Sequence, residues 1–239
     1  MAGATGARDT GLAQLESEIV SCRACPRLVA WREEVARVKR AAFADEDYWG
    51  RPIPGFGDPE ATVLVLGLAP AAHGGNRTGR IFTGDRSGDW LFGSLHRVGM
   101  ANQAESVSRD DGLELYGCWV GAAVRCAPPA NRPTPAERDT CLPYAVRELE
   151  LLPAVRVIVC LGSFAWDAAL RTLVAGGEPR PRPRPRFGHG AEARVGGRTL
   201  LGCYHPSQQN TFTGKLTRPM IDAVMRRARE LGSRSGADS

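Results

Sequence analysis

Four times along the chain a short, mainly apolar run is followed by a stretch whose apolar residues recur every three or four positions. The runs are 63–66, 118–124, 157–161 and 199–204. Near-continuous apolar runs of this length mark strands buried on both faces, and the 3.6-residue rhythm that follows marks amphipathic helices. Leu91, Leu95 and Val98 outline the first predicted helix. The second, with Leu142, Ala145, Leu149 and Leu152 inward, is opened by Thr134-Pro135-Ala136-Glu137, a capping box with proline at the first helical position. The third follows Gly162 with Ser163 as its predicted cap and Trp166, Leu170 and Leu173 inward. The fourth starts near Pro219 and carries Met220, Ile221, Val224, Met225, Ala228 and Leu231. Repeated strand-then-helix units predict a three-layer α/β/α sandwich around a central four-stranded, mostly parallel sheet. Ligands of such sheets sit beyond the carboxyl ends of the strands, and here polar segments follow the first and fourth runs.

Ahead of the sheet, residues 11–40 read as a helical segment with Leu12, Leu15 and Ile19 on one face, interrupted at Cys22, Cys25 and Pro26. Residues 1–231 are expected to form one domain, and 232–239 a disordered tail. The Pro-Arg alternation at 179–186 reads as an extended surface loop between the third helix and the last strand. With 239 residues, 43% of them hydrophobic and 24% charged, the chain is long and apolar enough for a core without disulfides. No apolar run approaches the roughly 18 residues of a membrane span, and the first ten residues lack a secretory pattern. The expected compartment is the reducing cytoplasm, and the expected state a monomer. Net charge of +5 permits a polyanionic partner without requiring one.

In a reducing compartment seven cysteines need an explanation other than disulfides. Cys118, Cys160 and Cys203 fall inside predicted strands and read as small core residues. Cys22 and Cys25 have the spacing that brings two thiolates to one metal centre, and Cys126 and Cys141 are the candidates to complete a set of four. Spacing leaves an iron-sulfur cluster, a structural zinc and buried free thiols all open.

After the first run the chain reads Gly-Leu-Ala-Pro-Ala-Ala-His-Gly-Gly-Asn-Arg-Thr-Gly-Arg-Ile-Phe-Thr-Gly-Asp, residues 67–85. After the fourth it reads His-Pro-Ser-Gln-Gln-Asn-Thr-Phe-Thr-Gly-Lys-Leu-Thr, residues 205–217. With the four cysteines, these segments closely resemble the family 5, or type B, uracil-DNA glycosylases of prokaryotes, over most of the chain from Cys22 to the last helix. The resemblance implies the glycosylase α/β/α fold, a [4Fe-4S] cluster on Cys22, Cys25, Cys126 and Cys141, and hydrolysis of the N-glycosidic bond of uracil in DNA. It also implies tolerance of other deaminated bases such as hypoxanthine, and work near the nucleoid.

The residue types fit that chemistry. A base must leave the duplex and enter a pocket that stacks it and reads its polar edge. Phe82 is the natural stacking ring, and the turn from Gly67 to Pro70, with Ala69 in it, lets backbone amides approach the base closely. His205 is the best candidate for the donor to the departing uracil anion, or else a structural histidine fixing the His-Pro turn. Asp85 suits orienting water or stabilising the sugar cation, or else capping the helix that follows; Asn131 suits contact with base or water, or shaping a turn. Related glycosylase families carry an acidic or amide side chain where Ala69 stands, and its absence is typical of family 5. Arg77, Ser207, Gln208, Gln209, Asn210 and Lys215 are the expected DNA contacts, with Phe212 or Leu216 as a wedge into the vacated stack. Lys215 is expected to contact phosphate rather than act as a lyase nucleophile, so the enzyme is expected to be monofunctional. The competing reading is a non-catalytic iron-sulfur module that only binds nucleic acid.

Overall fold

The computed structural model describes residues 2–233. Helices α1 (Ala2–Ser21) and α2 (Pro26–Val38) precede a sheet built from β1 (Phe56–Gly57), β2 (Val63–Gly67), β3 (Cys118–Ala122), β4 (Val157–Leu161), β5 (Glu192–Val195) and β6 (Arg198–Cys203). The strand order is β1-β3-β2-β4-β6-β5. The four anticipated runs form the parallel centre, β3-β2-β4-β6, while β1 and β5 pair antiparallel at the edges. The expected four-stranded sheet is thus the core of a six-stranded one. Neither edge strand carries an apolar run: β1 has two residues, and β5 leaves Glu192 and Arg194 exposed.

The remaining helices are α3 (Gly75–Thr78), α4 (Arg86–Arg97), α5 (Pro135–Leu151), α6 (Ser163–Ala175), α7 (Gln208–Phe212) and α8 (Arg218–Ser233). Along β2, Val63 and Val65 enter the core beneath α4 and α8, whereas Leu64 and Leu66 enter the core beneath α5 and α6. Side chains alternate across a strand, so a strand covered on both sides needs apolar residues at every position. Cys118 and Cys203 belong to the first core and Cys160 to the second, as expected of thiols used as small hydrophobes. Burial pushes Cys118 and Cys203 up to about 12, so they stay protonated at neutral pH.

Helix termini follow local chemistry with some departures. The Thr134 capping box forms, its hydroxyl accepting from the Glu137 amide while the Glu137 carboxylate accepts from the Thr134 amide. Ser163 is not a cap: Gly162, at φ 94°, occupies the N-cap position with no side-chain bond. On α5, Cys141, Glu148 and Leu149 are buried and Leu142 and Ala145 only half-buried. Helix α1 begins well before residue 11, and α8 extends through buried Gly232 into the segment expected to be a tail. The rest of that predicted tail, 234–239, lies outside the described residues. Among the described residues no helix is long and apolar enough to cross a membrane.

Candidate active site

The segments leaving β2, β3 and β6 surround a cleft of about 700 Å³ at the carboxyl end of the sheet. Ala69, Phe82, Asp85, Asn131, His205, Ser207, Gln208 and Gln209 line it. The Phe82 and His205 rings are neighbours in it, with centroids 6.0 Å apart and planes inclined by 37°. Phe82 is buried and takes φ 54°, a left-handed conformation unusual for a bulky residue. Its ring lies on Gly67: a Cβ there would stand 2.6 Å from Phe82 Cζ. Gly67 therefore makes room for the ring, a different reason from the close backbone approach to the base expected of it.

His205 is held through its backbone, its carbonyl accepting from Asn210 Nδ2 at 2.8 Å. Ser207 caps α7, accepting from the Asn210 amide at 3.4 Å. Neither ring nitrogen of His205 has a protein partner among the described residues, and burial lowers its pKa to about 4. A neutral imidazole with a free N–H faces the cleft at physiological pH. Asp85 caps α4, accepting from the Gly88 amide at 3.0 Å, and lines the cleft as well, so both readings of it are compatible with the geometry. Burial pushes its carboxyl up, opposed by the amides of Gly88 and Ser87. Asn131 reaches the cleft from an exposed turn in which it and Ala130 have φ of 55° and 52°.

The expected DNA contacts divide. Gln208 and Gln209 are exposed at the mouth. Ser207 and Asn210 are engaged in building the turn under His205. Arg77 is committed to the protein: it pairs with Glu46, donates to the carbonyls of His73 and Gly84 at 2.9 and 3.0 Å, and lies over the Phe43 ring. The structure gives it the task of holding the loop rather than meeting a phosphate. Lys215 places its ammonium 5.0 Å from the Tyr204 ring centroid, outside the cleft. Leu216 is fully buried and cannot be a wedge; Phe212 is exposed, with the Arg86 guanidinium over its ring.

Two supports went unforeseen. Buried Arg80 donates to both oxygens of Asp111 at 2.8 and 2.7 Å and to Ser106 Oγ at 2.8 Å, locking the segment that presents Phe82. Arg40 and Phe43 line the cleft from the connection after α2. An arginine beside glycine and threonine reads equally well as a phosphate ligand, and no sequence signal pointed to an aspartate 31 residues away.

On the far side of the β2 loop, Cys22, Cys25, Cys126 and Cys141 line one small cavity between α2, α5 and the exit of β3. Arg32, 2% exposed, donates to Cys126 Sγ at 2.9 Å, and its Nε has no partner. Burial raises Cys25 and Cys141 and pushes Cys126 up to about 12, with Arg32 opposing the rise at Cys126 and Arg125 at Cys141. Among the described residues no three His, Cys, Asp or Glu side chains are gathered as ligands of a single metal ion. Four thiols on one cavity with two buried guanidinium groups are nevertheless a donor set that fits a larger anionic thiolate-bound group.

Residues 54–229, which hold this sheet and most of this cleft, match the family model for the uracil DNA glycosylase superfamily. The chain belongs to that superfamily. A type-5 uracil-DNA glycosylase of Mycobacterium tuberculosis is 56% identical over 233 residues, covering 97% of this chain and 84% of the relative. One from Thermus thermophilus is 53% identical over 216 residues, covering 89% and 94%. A type-4 uracil-DNA glycosylase of Archaeoglobus fulgidus is 32% identical over 114 residues, 47% of this chain and 49% of its own. Within the superfamily, the chain is a member of the type-5 family.

Proposed function

We propose that this protein excises uracil from DNA by hydrolysing the N-glycosidic bond, releasing free base and leaving an abasic site for repair. The observation that carries the reading is the pair Phe82 and His205, brought to one cleft with ring centroids 6.0 Å apart from segments more than 100 residues apart. The uracil nucleotide swings out of the stack and lies against Phe82. As the bond between C1′ and the base breaks, its electrons move onto the base, and the neutral His205 N–H donates to the base oxygen where charge accumulates. Water adds to C1′; Asp85 and the Asn131 amide orient it, and its proton passes through solvent to the released base. The cleft also admits other deaminated bases such as hypoxanthine. The enzyme is monofunctional: among the described residues no lysine lines the cleft to supply the amine a lyase needs.

Cys22, Cys25, Cys126 and Cys141 hold a [4Fe-4S] cluster in this reading, supported by their shared cavity and the guanidinium groups of Arg32 and Arg125. When bound, the cluster supplies a structural cross-link, because glycosidic hydrolysis transfers no electron. The protein acts as a monomer. The test incubates purified protein with single- and double-stranded oligonucleotides carrying uracil or hypoxanthine, beside His205→Ala. Uracil release by the parent, reduced about 100-fold or more in the variant, is expected; no release of any deaminated base refutes the reading. Iron and sulfide near four each per chain are expected; stoichiometric zinc instead refutes the cluster.

A further inference from the structure

The Pro-Arg segment lies outside the cleft, and its placement gives it a role. It leaves α6 at the amino end of the parallel strands, where Glu178 pairs with Arg198 at 3.5 Å. It reaches the carboxyl end at Pro185, whose carbonyl accepts from Trp166 Nε1 at 3.1 Å, one turn into α6. The next residue but one, Phe187, lies 6.3 Å from the Tyr204 ring, and His189 Nδ1 accepts from the Tyr204 amide at 3.2 Å. Tyr204 directly precedes His205 and bears the Lys215 ammonium over its ring. The segment is thus pinned at both ends and climbs the sheet to the edge of the cleft.

Along it Arg180, Arg182, Arg184 and Arg186 are all exposed, whereas Pro181 and Pro185 are half-buried. Arg184 pairs with Asp167 at 2.7 Å. Arg180, Arg182 and Arg186 have no carboxylate partner among the described residues. Proline at every second position fixes φ there and restrains the segment, which bends at 182–183, so its arginines are displayed from a restricted backbone. A guanidinium is matched to phosphate oxygens, and one held on a stiff backbone loses little entropy on binding.

We propose that Arg180, Arg182 and Arg186 form a phosphate-tracking strip that grips the DNA backbone flanking the lesion, extending the footprint from the cleft mouth down the α6 side of the molecule. The proposal rests on the glycosylase reading only for the placement of the lesion; the strip binds undamaged duplex in the same way. It adds affinity and register without base recognition.

The test compares the parent, R180Q/R182Q/R186Q and R180K/R182K/R186K for binding to an undamaged duplex of about 40 base pairs as salt rises. Each lost phosphate contact lowers the log–log salt slope by about 0.9, so the glutamine variant is expected to show a slope smaller by about 2 to 3. The parent's affinity advantage then shrinks about 40-fold between 50 and 200 mM salt. The lysine variant is expected to keep the parent's slope. A short single-stranded uracil oligonucleotide that ends before the strip is expected to be processed equally by all three, which also shows that they are folded. An unchanged slope in the glutamine variant overturns the proposal, whichever other polyanion it then fails to bind. A parent that grips duplex with the expected slope yet releases no base would sink the glycosylase reading and leave the strip standing.

Discussion

The cleft and the four-cysteine cavity lie on either side of the same β2 loop and use burial in opposite ways. Beside the cysteines most buried charge is matched, Arg32 with its unpartnered Nε being the exception. Arg125 and Glu148, 2% and 4% exposed, meet in a two-pronged pair at 3.0 and 2.6 Å. Arg27 pairs with Glu137, the residue that closes the capping box of α5. In the cleft, His205 and Asp85 are desolvated without an opposite charge bonded to them. Matched groups spend their bonding capacity on the scaffold. Unmatched ones keep it for whatever enters. Asn76 joins the two regions, its Nδ2 donating to the Arg32 carbonyl at 3.1 Å, so the loop that presents Phe82 is tied to the helix beside the cysteines.

The strongest way to break this contrast is to unpair the scaffold. Glu148→Ala strands a buried guanidinium and is expected to cost about 3–5 kcal/mol, read as a lowered denaturant midpoint, with near-parental uracil release per folded molecule. His205→Ala should do the reverse: about 2.7 kcal/mol lost from transition-state stabilisation at about 100-fold lower turnover, with thermal stability little changed. Loss of both activity and stability in either variant would blur the distinction. Gly67→Ala drives a methyl into the Phe82 ring and is expected to cost about 1–3 kcal/mol, with weakened uracil binding seen as a higher KM.

Asp85 separates its two roles by substitution. Asp85→Asn keeps a good N-cap and removes the charge, so activity should fall while stability holds. Asp85→Ala should lose activity and about 1 kcal/mol of stability as well. In the parent, the acid limb of the pH-rate profile is expected above the ordinary aspartate value of 3.8, because burial raises this carboxyl, and it should vanish in Asp85→Asn. A further effect, read in stability against pH, concerns His205. Its imidazole titrates near 6.5 when unfolded and near 4 when folded, so as pH falls through that window the unfolded chain takes up a proton the folded one refuses. Stability present above about pH 6.5 is therefore lost progressively toward pH 4, and His205→Ala should flatten that part of the curve measured by chemical denaturation.

What the amino-acid order determined by itself was whatever is written in short range. The four buried strands follow from mainly apolar runs, their helices from 3.6-residue periodicity, and the start of α5 from four residues. The polar segments after β2 and β6 located the cleft, because a parallel sheet brings all its carboxyl ends to one side. Tertiary structure alone decided which polar residues remain available there. Arg77 and Arg80 look alike in sequence as candidate phosphate ligands, yet Glu46 and Asp111 claim them across 31 residues each. Gly67 is required by a ring 15 residues later in the chain, and the edge strands exist only because β3 and β6 offer them unpaired hydrogen-bonding groups. Periodicity records how a residue relates to its own element; the partner that satisfies a buried charge or fills a space is chosen by packing between elements, which no local pattern encodes.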